Sequence, residues 1–217
     1  MKVALIPARG GSKGIPNKNI IDINGMPMLA YSITAALLSK VDEVWVSSDS
    51  DEILEVSRRY GAKLMKRPPE FAKDDSSTES VILHFLKQRK YVNTVILIQP
   101  TSPMILPEDI DNGLDKFIND GYDSLFSASK TNDVLLWNSK IQPLNYNYKK
   151  RGTRQTRKNF TLHENGAFFI FNRRLFFKNK NRLGGKIGYS EMPYWRSFQI
   201  DSREDLANVK KLMIAKI

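Results

Sequence analysis

Short apolar runs alternate along this chain with longer stretches in which apolar residues recur at helical spacing. Residues 3–6, 44–46 and 94–98 form continuous apolar or β-branched runs, which are typical of strands covered on both faces of a sheet. Residues 28–38 and 76–90 lie between these runs and show the helical spacing. Strands that alternate with helices predict an α/β fold, with a mainly parallel sheet sandwiched by helices.

Boundary residues predict where further elements begin and end. Ser50 is a favoured N-cap, and the acidic residues Asp51 and Glu52 suit the first turn of a helix. That helix would run to about residue 60 and end at Gly61. Other strands are predicted at residues 63–66, 124–127 and 166–171, and other helices from Pro107 to about residue 119 and after Ser202, with Asp205 in the capping-box position.

The alternation breaks between residues 130 and 161. This stretch is rich in Asn, Lys, Arg, Tyr and Gln, and we interpret it as an arm that leaves the main sheet. The connections elsewhere are too short for a linker, and the sequence contains no internal repeat. The chain is therefore predicted to form a single domain, residues 1–217, with an arm at about residues 130–161.

The composition fits one globular domain. The chain has 217 residues, of which 41% are hydrophobic, and this is enough for a single substantial core. No apolar run approaches the roughly 20 residues of a membrane-spanning helix, and the run after Lys2 is stopped early by Pro7 and Arg9. The absence of cysteine excludes disulfides and thiolate chemistry. We therefore expect a cytoplasmic protein without a membrane segment.

The formal net charge of +11 is high for this length and points to an anionic partner or a highly solvated surface. Much of the excess lies in the arm and just after it, where a small anion or RNA is the candidate ligand. An RNA-binding surface predicts aromatic residues interleaved with the basic ones. Most phenylalanines lie instead in strand-like runs, which favours an enzyme that binds no nucleic acid.

The first predicted strand runs into a glycine-rich loop that carries two cations. Arg9 and Lys13 can neutralise phosphate charge, while the three glycines let backbone N–H groups approach phosphate oxygens. The spacing fits neither a Walker A loop nor a dinucleotide fingerprint, and Pro16 interrupts an immediate helix. We interpret the loop as a nucleotide site; the alternative is an ordinary turn whose cations are solvated.

A second polar set follows the predicted strand at residues 94–98. Open α/β sheets place ligands beyond the carboxyl ends of their strands, so Gln99, Thr101 and Ser102 are candidate ligand contacts. The alternatives are a Gln99 that only joins neighbouring strands and a plain turn after it. No Ser-His-Asp order or Cys/His metal spacing indicates a hydrolase or a zinc protein. His84 and His163 are interpreted as a helical residue and a residue near the pocket, not as bases.

The opening string KVALIPARGGSKGIPNKN resembles the N-terminal signature of the acylneuraminate cytidylyltransferases, the CMP-sialic acid synthetases and their relatives. Further parts of that family's pattern recur in order: Ser47-Ser48-Asp49, Lys66-Arg67-Pro68, LIQPTSP at residues 97–103, Asn165-Gly166-Ala167 and Ile200-Asp201-Ser202. The resemblance implies a Rossmann-like nucleotide-diphospho-sugar transferase fold. It also implies transfer of CMP from CTP to a nine-carbon 2-keto sugar acid such as neuraminate or legionaminate, with release of pyrophosphate. The alternatives are an eight-carbon keto acid as substrate and, outside enzymes, a basic RNA-binding protein.

The resemblance also implies roles for individual residues. The nucleotide would be bound by Ala8, Arg9, Gly10, Gly11, Ser12, Lys13, Asn19, Arg67 and Thr78. The sugar acid would be bound by Gln99, Thr101, Ser102, Arg154, Asn165 and Gly166. The catalytic residues would be Arg9, Lys13, Gln99 and Asp201, with Asp201 also the ligand of the implied cofactor, Mg²⁺. Simpler roles are open: Arg67 could pair with Glu70, and Asn19 could be a turn residue.

Two positions depart from the family's pattern. Met104 and Ile105 stand where the family usually has an arginine, which removes one expected cation. Gln199 stands where the family commonly has the first of two aspartates. We therefore expect magnesium to arrive largely with CTP and to bind Asp201, with the Gln199 amide oxygen as a weak partner. The alternative for Asp201 is that it helps Ser202 to cap the last helix.

The resemblance gives the arm at residues 130–161 a further role, although it is weakest in this part of the chain. In the family such an arm reaches a second subunit and contributes to its sugar pocket. A homodimer is therefore implied, whereas composition alone fits a flexible basic loop.

Overall fold

The computed structural model of the chain describes residues 1–73, 76–131, 134–157 and 160–215. The strands within these ranges are β1 Lys2–Pro7, β2 Asp22–Ile23, β3 Met26–Pro27, β4 Glu43–Ser48, β5 Lys63–Lys66, β6 Thr94–Ile98, β7 Ser124–Thr131, β8 Thr161–Asn172 and β9 Ile187–Glu191. The α-helices are α1 Met28–Leu37, α2 Asp51–Arg59, α3 Thr78–Gln88, α4 Pro107–Asn119, α5 Arg173–Asn179 and α6 Arg203–Ile214. None of the helices in these ranges is long and apolar enough to cross a membrane.

Seven strands form one mixed sheet in the order β5-β4-β1-β6-β8-β7-β9. All neighbouring pairs in this sheet are parallel except those that β8 makes with β6 and β7. The remaining strands, β2 and β3, form a small separate hairpin. The predicted α/β fold with a mainly parallel sheet is confirmed, and β8 is the strand that makes the sheet mixed.

Helices cover both faces of the sheet, and β1 illustrates why its sequence is apolar without alternation. Ala4 and Ile6 belong to a core shared with α1, α2 and α4, whereas Val3 and Leu5 belong to a core shared with α3 and α5. Successive side chains of a strand point to opposite faces, so a strand covered on both faces needs apolar residues at every position. The carboxyl end of β1 is thereby held rigidly in the middle of the sheet.

A third, smaller core ties the two ends of the chain together. Ile15 and Ile23 from the segment after β1 pack with Ile200 and with Val209 of α6. A capping box fixes the start of α6. Ser202 Oγ accepts a hydrogen bond from Asp205 N at 3.1 Å, and Asp205 Oδ2 accepts one from Ser202 N at 2.8 Å. The capping box predicted at this position is confirmed, and it brings the residues before α6 next to the loop after β1.

Local boundary predictions hold closely for the helices. Ser50 caps α2, accepting a hydrogen bond from Ile53 N at 3.4 Å, and α2 ends just before Gly61 as predicted. Helix α3 begins at Thr78, two residues later than predicted, because Ser77 is the residue that caps it. The shift matters for function, since it leaves Ser76 outside the helix in the loop that borders a cavity.

The arm begins as a continuation of the sheet. Strands β7 and β8 are longer than predicted and remain paired as far as Thr131 and Thr161, so the predicted arm has a two-stranded antiparallel base. Beyond that base, Trp137 packs against Tyr146 and Tyr148 with ring centroids 5.9 and 5.8 Å apart. Positions 158 and 159 of the predicted arm, like 132 and 133, lie outside the described residues.

Candidate active site

A cavity of about 360 Å³ opens at the carboxyl ends of β1 and β6, where the fold predicts a ligand site. It brings together nine residues predicted from the sequence, although they come from distant parts of the chain. These are Arg9, Ser12, Lys13, Asn19, Arg67, Thr78, Gln99, Thr101 and Asp201. The remaining lining residues are Pro7, Gly14, Lys18, Ser76, Val81 and Pro100.

The glycine-rich loop is tied to the strand beside it. Gly10 N donates a hydrogen bond to Asp49 Oδ1 at 2.9 Å, and Asp49 directly follows β4. Asn19 is buried and its Nδ2 donates to the carbonyl of Arg9 at 2.8 Å, so its amide fixes the backbone from which the Arg9 side chain projects. Ala8 is also buried and takes part through its backbone N, which donates to Ser47 O at 3.0 Å. The loop therefore reaches the cavity already ordered by contacts within the protein.

Lys18 is a pocket residue that the sequence analysis did not single out. Its Nζ donates to Asp201 Oδ1 at 2.8 Å and to the carbonyl of Ile200 at 3.1 Å, which joins the loop to the segment before α6. Gly14 makes the same junction possible, because a Cβ there would lie 2.8 Å from the carbonyl oxygen of Asp201. The signal in the sequence that could have identified Lys18 was its position in the same loop, two residues after Pro16.

Arg67 is a buried cation that faces the cavity. The residue is only 3% exposed, and its Nη2 and Nε donate to Ser47 O at 2.6 Å and to Ser47 Oγ at 3.3 Å. No carboxylate in the described ranges lies within ion-pair distance of it, so it does not pair with Glu70. Burial lowers the pKa of Arg67 to about 10; the nearby Asp49 opposes this shift and Arg9 adds to it. A buried guanidinium with incomplete compensation is suited to an anionic ligand.

The turn after β6 is held between two other segments. Gln99 N donates to the carbonyl of Ala167 at 2.9 Å, and Ile200 N donates to the carbonyl of Thr101 at 2.9 Å. Gln99 and Thr101 line the cavity, whereas Ser102 is buried outside the lining. The Oγ of Ser102 has no hydrogen-bond partner among the described residues. Its location favours packing under the turn over contact with a ligand.

Asn165 and Gly166, predicted to bind the sugar acid, lie outside the cavity lining. The buried amide of Asn165 accepts hydrogen bonds from Ser127 Oγ at 2.6 Å and Ala167 N at 3.2 Å, and donates to Ser197 Oγ at 3.0 Å. The structure thus uses this side chain to position the backbone beside Gln99. Arg154, also predicted to bind the sugar acid, lies exposed on the arm.

Gln199 stabilises the same segment through a side-chain hydrogen bond. Its Nε2 donates to the carbonyl of Asn165 at 2.6 Å, and its side chain lines a separate cavity beside α6 rather than the one that contains Asp201. Gly166 adopts a φ of +66°, and a Cβ there would lie 2.2 Å from Gln199 Nε2. Only glycine accommodates both conditions. The expected role of Gln199 as a weak metal partner does not fit this arrangement.

Among the described residues that line the cavity, Asp201 is the acidic one, and its surroundings limit how a metal could bind. No group of three His, Cys, Asp or Glu residues within the described ranges is arranged to hold a metal ion. The Asp201 side chain is 68% exposed and forms an ion pair with Lys18. It does not cap α6, because Ser202 and Asp205 do so and Asp201 supplies only its backbone N. One exposed carboxylate fits magnesium only as one ligand among water and ligand oxygens.

Neither histidine borders the cavity, in keeping with the expectation that neither is a base. His84 packs on Phe71 with ring centroids 5.1 Å apart. Burial lowers the pKa of His84, and the charge of Arg67 lowers it further. His163 lies at the base of the arm, 6.2 Å from the ring of Tyr194. The cavity therefore offers positive charge and hydrogen bonds, the requirements for aligning a polyphosphate, rather than a proton-transfer relay.

Comparisons with known proteins agree with this chemistry. Residues 3–216 match the sequence profile of a family described as Cytidylyltransferase. The chain is 39% identical over 206 residues to N-acylneuraminate cytidylyltransferase B of Danio rerio, which covers 92% of this chain and 48% of that protein. It is 33% identical over 187 residues to the pseudaminic acid cytidylyltransferase of Campylobacter jejuni, covering 77% of each. The chain thus spans about half the length of the fish relatives.

The fold is also similar to that of a solved enzyme. A CMP:2-keto-3-deoxy-manno-octonic acid synthetase complexed with CTP superposes with a TM-score of 0.76, at 18% identity, over 100% of this chain and 99% of that one. At this identity the likeness concerns the fold. It agrees with the nucleotide-diphospho-sugar transferase architecture expected from the sequence.

Proposed function

The chain belongs to the cytidylyltransferase family, and on this premise we propose that it transfers CMP from CTP to a sialic-acid-like 2-keto sugar acid, with release of pyrophosphate. Relatives named for N-acylneuraminate and pseudaminic acid support a sugar acid of nine carbons. The observation that carries the proposal is Arg67, a buried cation without a carboxylate partner in the described ranges, at a cavity also lined by Arg9 and Lys13.

The reaction requires the pocket to align the reacting groups and to neutralise the charge of the phosphates. A sugar hydroxyl oxygen attacks the α-phosphorus of CTP, and the bond from that phosphorus to the pyrophosphate oxygen breaks. Arg9 and Lys13 of the loop stabilise the negative charge on the phosphates, and the buried Arg67 supplies a further cation that is held in place in the cavity wall. Backbone contacts hold the turn that carries Gln99, and the role proposed for its side chain is to align the reacting phosphate or the sugar acid.

Magnesium is proposed as a cofactor that binds together with the nucleotide. Asp201 would hold it, with phosphate oxygens and water completing its coordination, and when bound it neutralises phosphate charge. Lys18 would then exchange Asp201 for a phosphate oxygen, because both partners of this ion pair line the cavity. In the absence of ligand, the ion pair thus holds the Asp201 carboxylate where it can bind the metal and the Lys18 ammonium where it can bind a phosphate oxygen.

We further propose that the protein is a homodimer that works in the cytoplasm. The arm supports a dimer because Ile141, Leu144 and Trp137 on it are exposed apolar side chains. Light scattering of the dilute protein should give the mass of a dimer, and removal of the arm should give inactive monomers. A monodisperse, fully active monomer would contradict the proposed assembly.

A pyrophosphate-release assay tests the reaction. With CTP and magnesium, we expect release with at least one of neuraminate, legionaminate and pseudaminate, and weaker release with an eight-carbon keto acid. The strongest signal identifies the substrate, since these acids differ in substituents that a few contacts distinguish. Folded protein that releases no pyrophosphate with any of these acids would refute the proposed function.

A further inference from the structure

A second cavity, larger than the nucleotide pocket, lies at the opposite edge of the sheet. Its volume is about 680 Å³, and it opens beside α5, the end of β8 and the start of β6. Asn93 immediately precedes β6, and Asn172 pairs with the first residue of that strand. Because β6 begins at this cavity and ends next to Gln99, the two cavities lie at opposite ends of one strand. A ligand bound in one cavity therefore does not block the other cavity.

The wall of this second cavity carries uncompensated positive charge. Arg173, Arg174 and Lys178 line it, and residues 173–186 include six Lys or Arg and no Asp or Glu. Among the described lining residues, the acidic one is Asp123, whose Oδ2 already accepts a hydrogen bond from Lys186 N at 2.9 Å. Within the described ranges, Arg174 and Lys178 have no carboxylate at ion-pair distance, and both are exposed.

Arg173 and the aromatic ring beside it are held in place. Arg173 Nη1 donates to the carbonyls of Leu86 at 2.9 Å and Arg89 at 3.2 Å, at the carboxyl end of α3. Its guanidinium lies 4.7 Å from the centre of the Phe177 ring, and Lys180 Nζ lies 5.2 Å from the same centre. Because two cations already engage this ring, it is not available as a platform for a nucleobase.

We propose that this basic cavity binds a small phosphate-bearing anion at a site separate from the nucleotide pocket. Three lining cations beside one carboxylate that already accepts a hydrogen bond favour a multiply charged ligand, since a single carboxylate would leave most of the charge unbalanced. Arg174 and Lys178 offer the fork and the point charge that bind phosphate oxygens. Asn93 and Asn179 add amide donors to the same wall.

The shape of the cavity favours a small molecule over a polymer. Its volume of 680 Å³ falls within the roughly 300–1,000 Å³ of pockets that enclose small ligands. Single-stranded RNA is bound by aromatic platforms along an open groove. Phe177 is engaged by Arg173 and Lys180, so the surface lacks that platform among its lining residues.

An NMR titration of the full chain with inorganic tripolyphosphate tests this proposal residue by residue. We expect the backbone amides of residues 173–179 to shift and saturate at physiological salt. R174Q/K178Q should raise the Kd measured from these amides at least about tenfold, because two charge-assisted contacts are lost. K149Q/K150Q removes the same charge from exposed positions on the arm and should leave that Kd unchanged.

Three outcomes would overturn the proposal. The first is no saturable shift at residues 173–179. The second is an equal weakening by both double variants, which would indicate general screening of a basic protein. The third is a shift of these amides with a short single-stranded RNA but not with tripolyphosphate, which would make the surface a nucleic-acid site. Shifts at residues 9–13 report on the nucleotide pocket separately.

Discussion

Two buried arginines of this protein are compensated in opposite ways. Arg196 is 9% exposed and forms a two-pronged ion pair with Asp109 of α4, in which Nη1 contacts Oδ2 and Nη2 donates to Oδ1 at 2.8 Å. Arg67 is 3% exposed, and its guanidinium has only Ser47 and the carbonyl of Phe71 as hydrogen-bond partners among the described residues. The first charge is paired with a carboxylate, whereas the second has no carboxylate at ion-pair distance among the described residues and is suited to a bound anion.

The difference separates a structural region from a functional one. Around Arg196, the partner carboxylate also accepts a hydrogen bond from Leu106 N at 2.9 Å, so the pair fixes the start of α4. Around Arg67, Arg9 and Lys13 line the same cavity and add positive charge, and Asp49 acts on Arg67 without forming an ion pair with it. Removal of charge should therefore damage folding in the first region and ligand binding in the second.

The largest effect is expected from Asp109→Ala. This change leaves a buried arginine without its partner, and such losses destabilise proteins by about 3–5 kcal/mol. Urea unfolding should report a decrease of that size in the free energy of unfolding. Asp115→Ala is the matched control on the same helix, because the Asp115–Lys40 pair is exposed and should contribute about 0–1 kcal/mol. Equal effects of the two changes would remove the contrast between the arginines.

Lys13→Ala should be next, and its effect should fall on catalysis. We expect a loss of more than ~2 kcal/mol of transition-state stabilisation, or about 30-fold in kcat/KM, because the role proposed for this ammonium is to neutralise phosphate charge. The free energy of unfolding should hardly change, since Lys13 is exposed. Lys40→Ala serves as a control with the same loss of charge far from the pocket. Near-wild-type turnover in Lys13→Ala would place the phosphate site elsewhere.

Arg67→Gln should raise the KM for CTP by about tenfold, the lower end of the range for a charged hydrogen bond, because glutamine keeps one donor for Ser47. Stability should stay constant or rise, since an uncompensated buried charge is removed. Initial-rate kinetics at varied CTP measure the KM, and thermal unfolding without CTP measures the stability. A clear drop in stability without any change in KM would mean that Arg67 has a structural role like that of Arg196.

Asp201→Asn should raise the magnesium concentration needed for half-maximal rate several-fold and lower turnover, while leaving stability unchanged. The Lys18–Asp201 pair is largely exposed on the aspartate side and contributes little to folding. Gln199→Asp is the companion variant. Because Gln199 is turned to the Asn165 carbonyl, we expect no gain in magnesium affinity from it. A lowered magnesium requirement in Gln199→Asp would show that this side chain reaches the metal.

The smallest effect concerns pH. Burial and the charge of Arg67 lower the pKa of His84 in the folded state, so the neutral form contributes stability that is present above the unfolded pKa of about 6.5. This contribution is lost as pH falls from that value toward the folded pKa. The Tm of the wild type should therefore decrease slightly more between pH 7.5 and pH 5.5 than that of His84→Gln. Identical decreases would show that His84 does not titrate against Arg67.

The parts of the structure that sequence predicts well are those set by neighbouring residues. Ser50, Ser202 and Asp205 act within a few positions of where they stand, so the ends of α2 and the start of α6 were predictable. The apolar run of β1 likewise indicated a strand covered on both faces. The loop after β1 could be interpreted as a phosphate site because its glycines and cations are consecutive.

The parts that sequence does not predict depend on partners far along the chain. The sequence does not show how Arg67 or Arg196 is compensated, and only the fold brings Asp109, 87 residues away, to Arg196. Asn165 was predicted as a sugar contact, but its amide is used by Ser127 and by Ser197, 32 residues on. The antiparallel direction of β8 is also absent from its hydrophobic pattern, since direction does not change which residues are apolar.

The contact between Gly166 and Gln199 has a practical meaning for protein engineering. A Cβ at position 166 would meet Gln199 Nε2 at 2.2 Å, at a backbone φ of +66°. Substitutions at one of these positions therefore have effects that depend on the residue at the other, which is a case of epistasis. A mutant library that includes this segment should vary positions 166 and 199 jointly. Asn or Asp at 166, which tolerate this φ best, should be combined with a short side chain at 199.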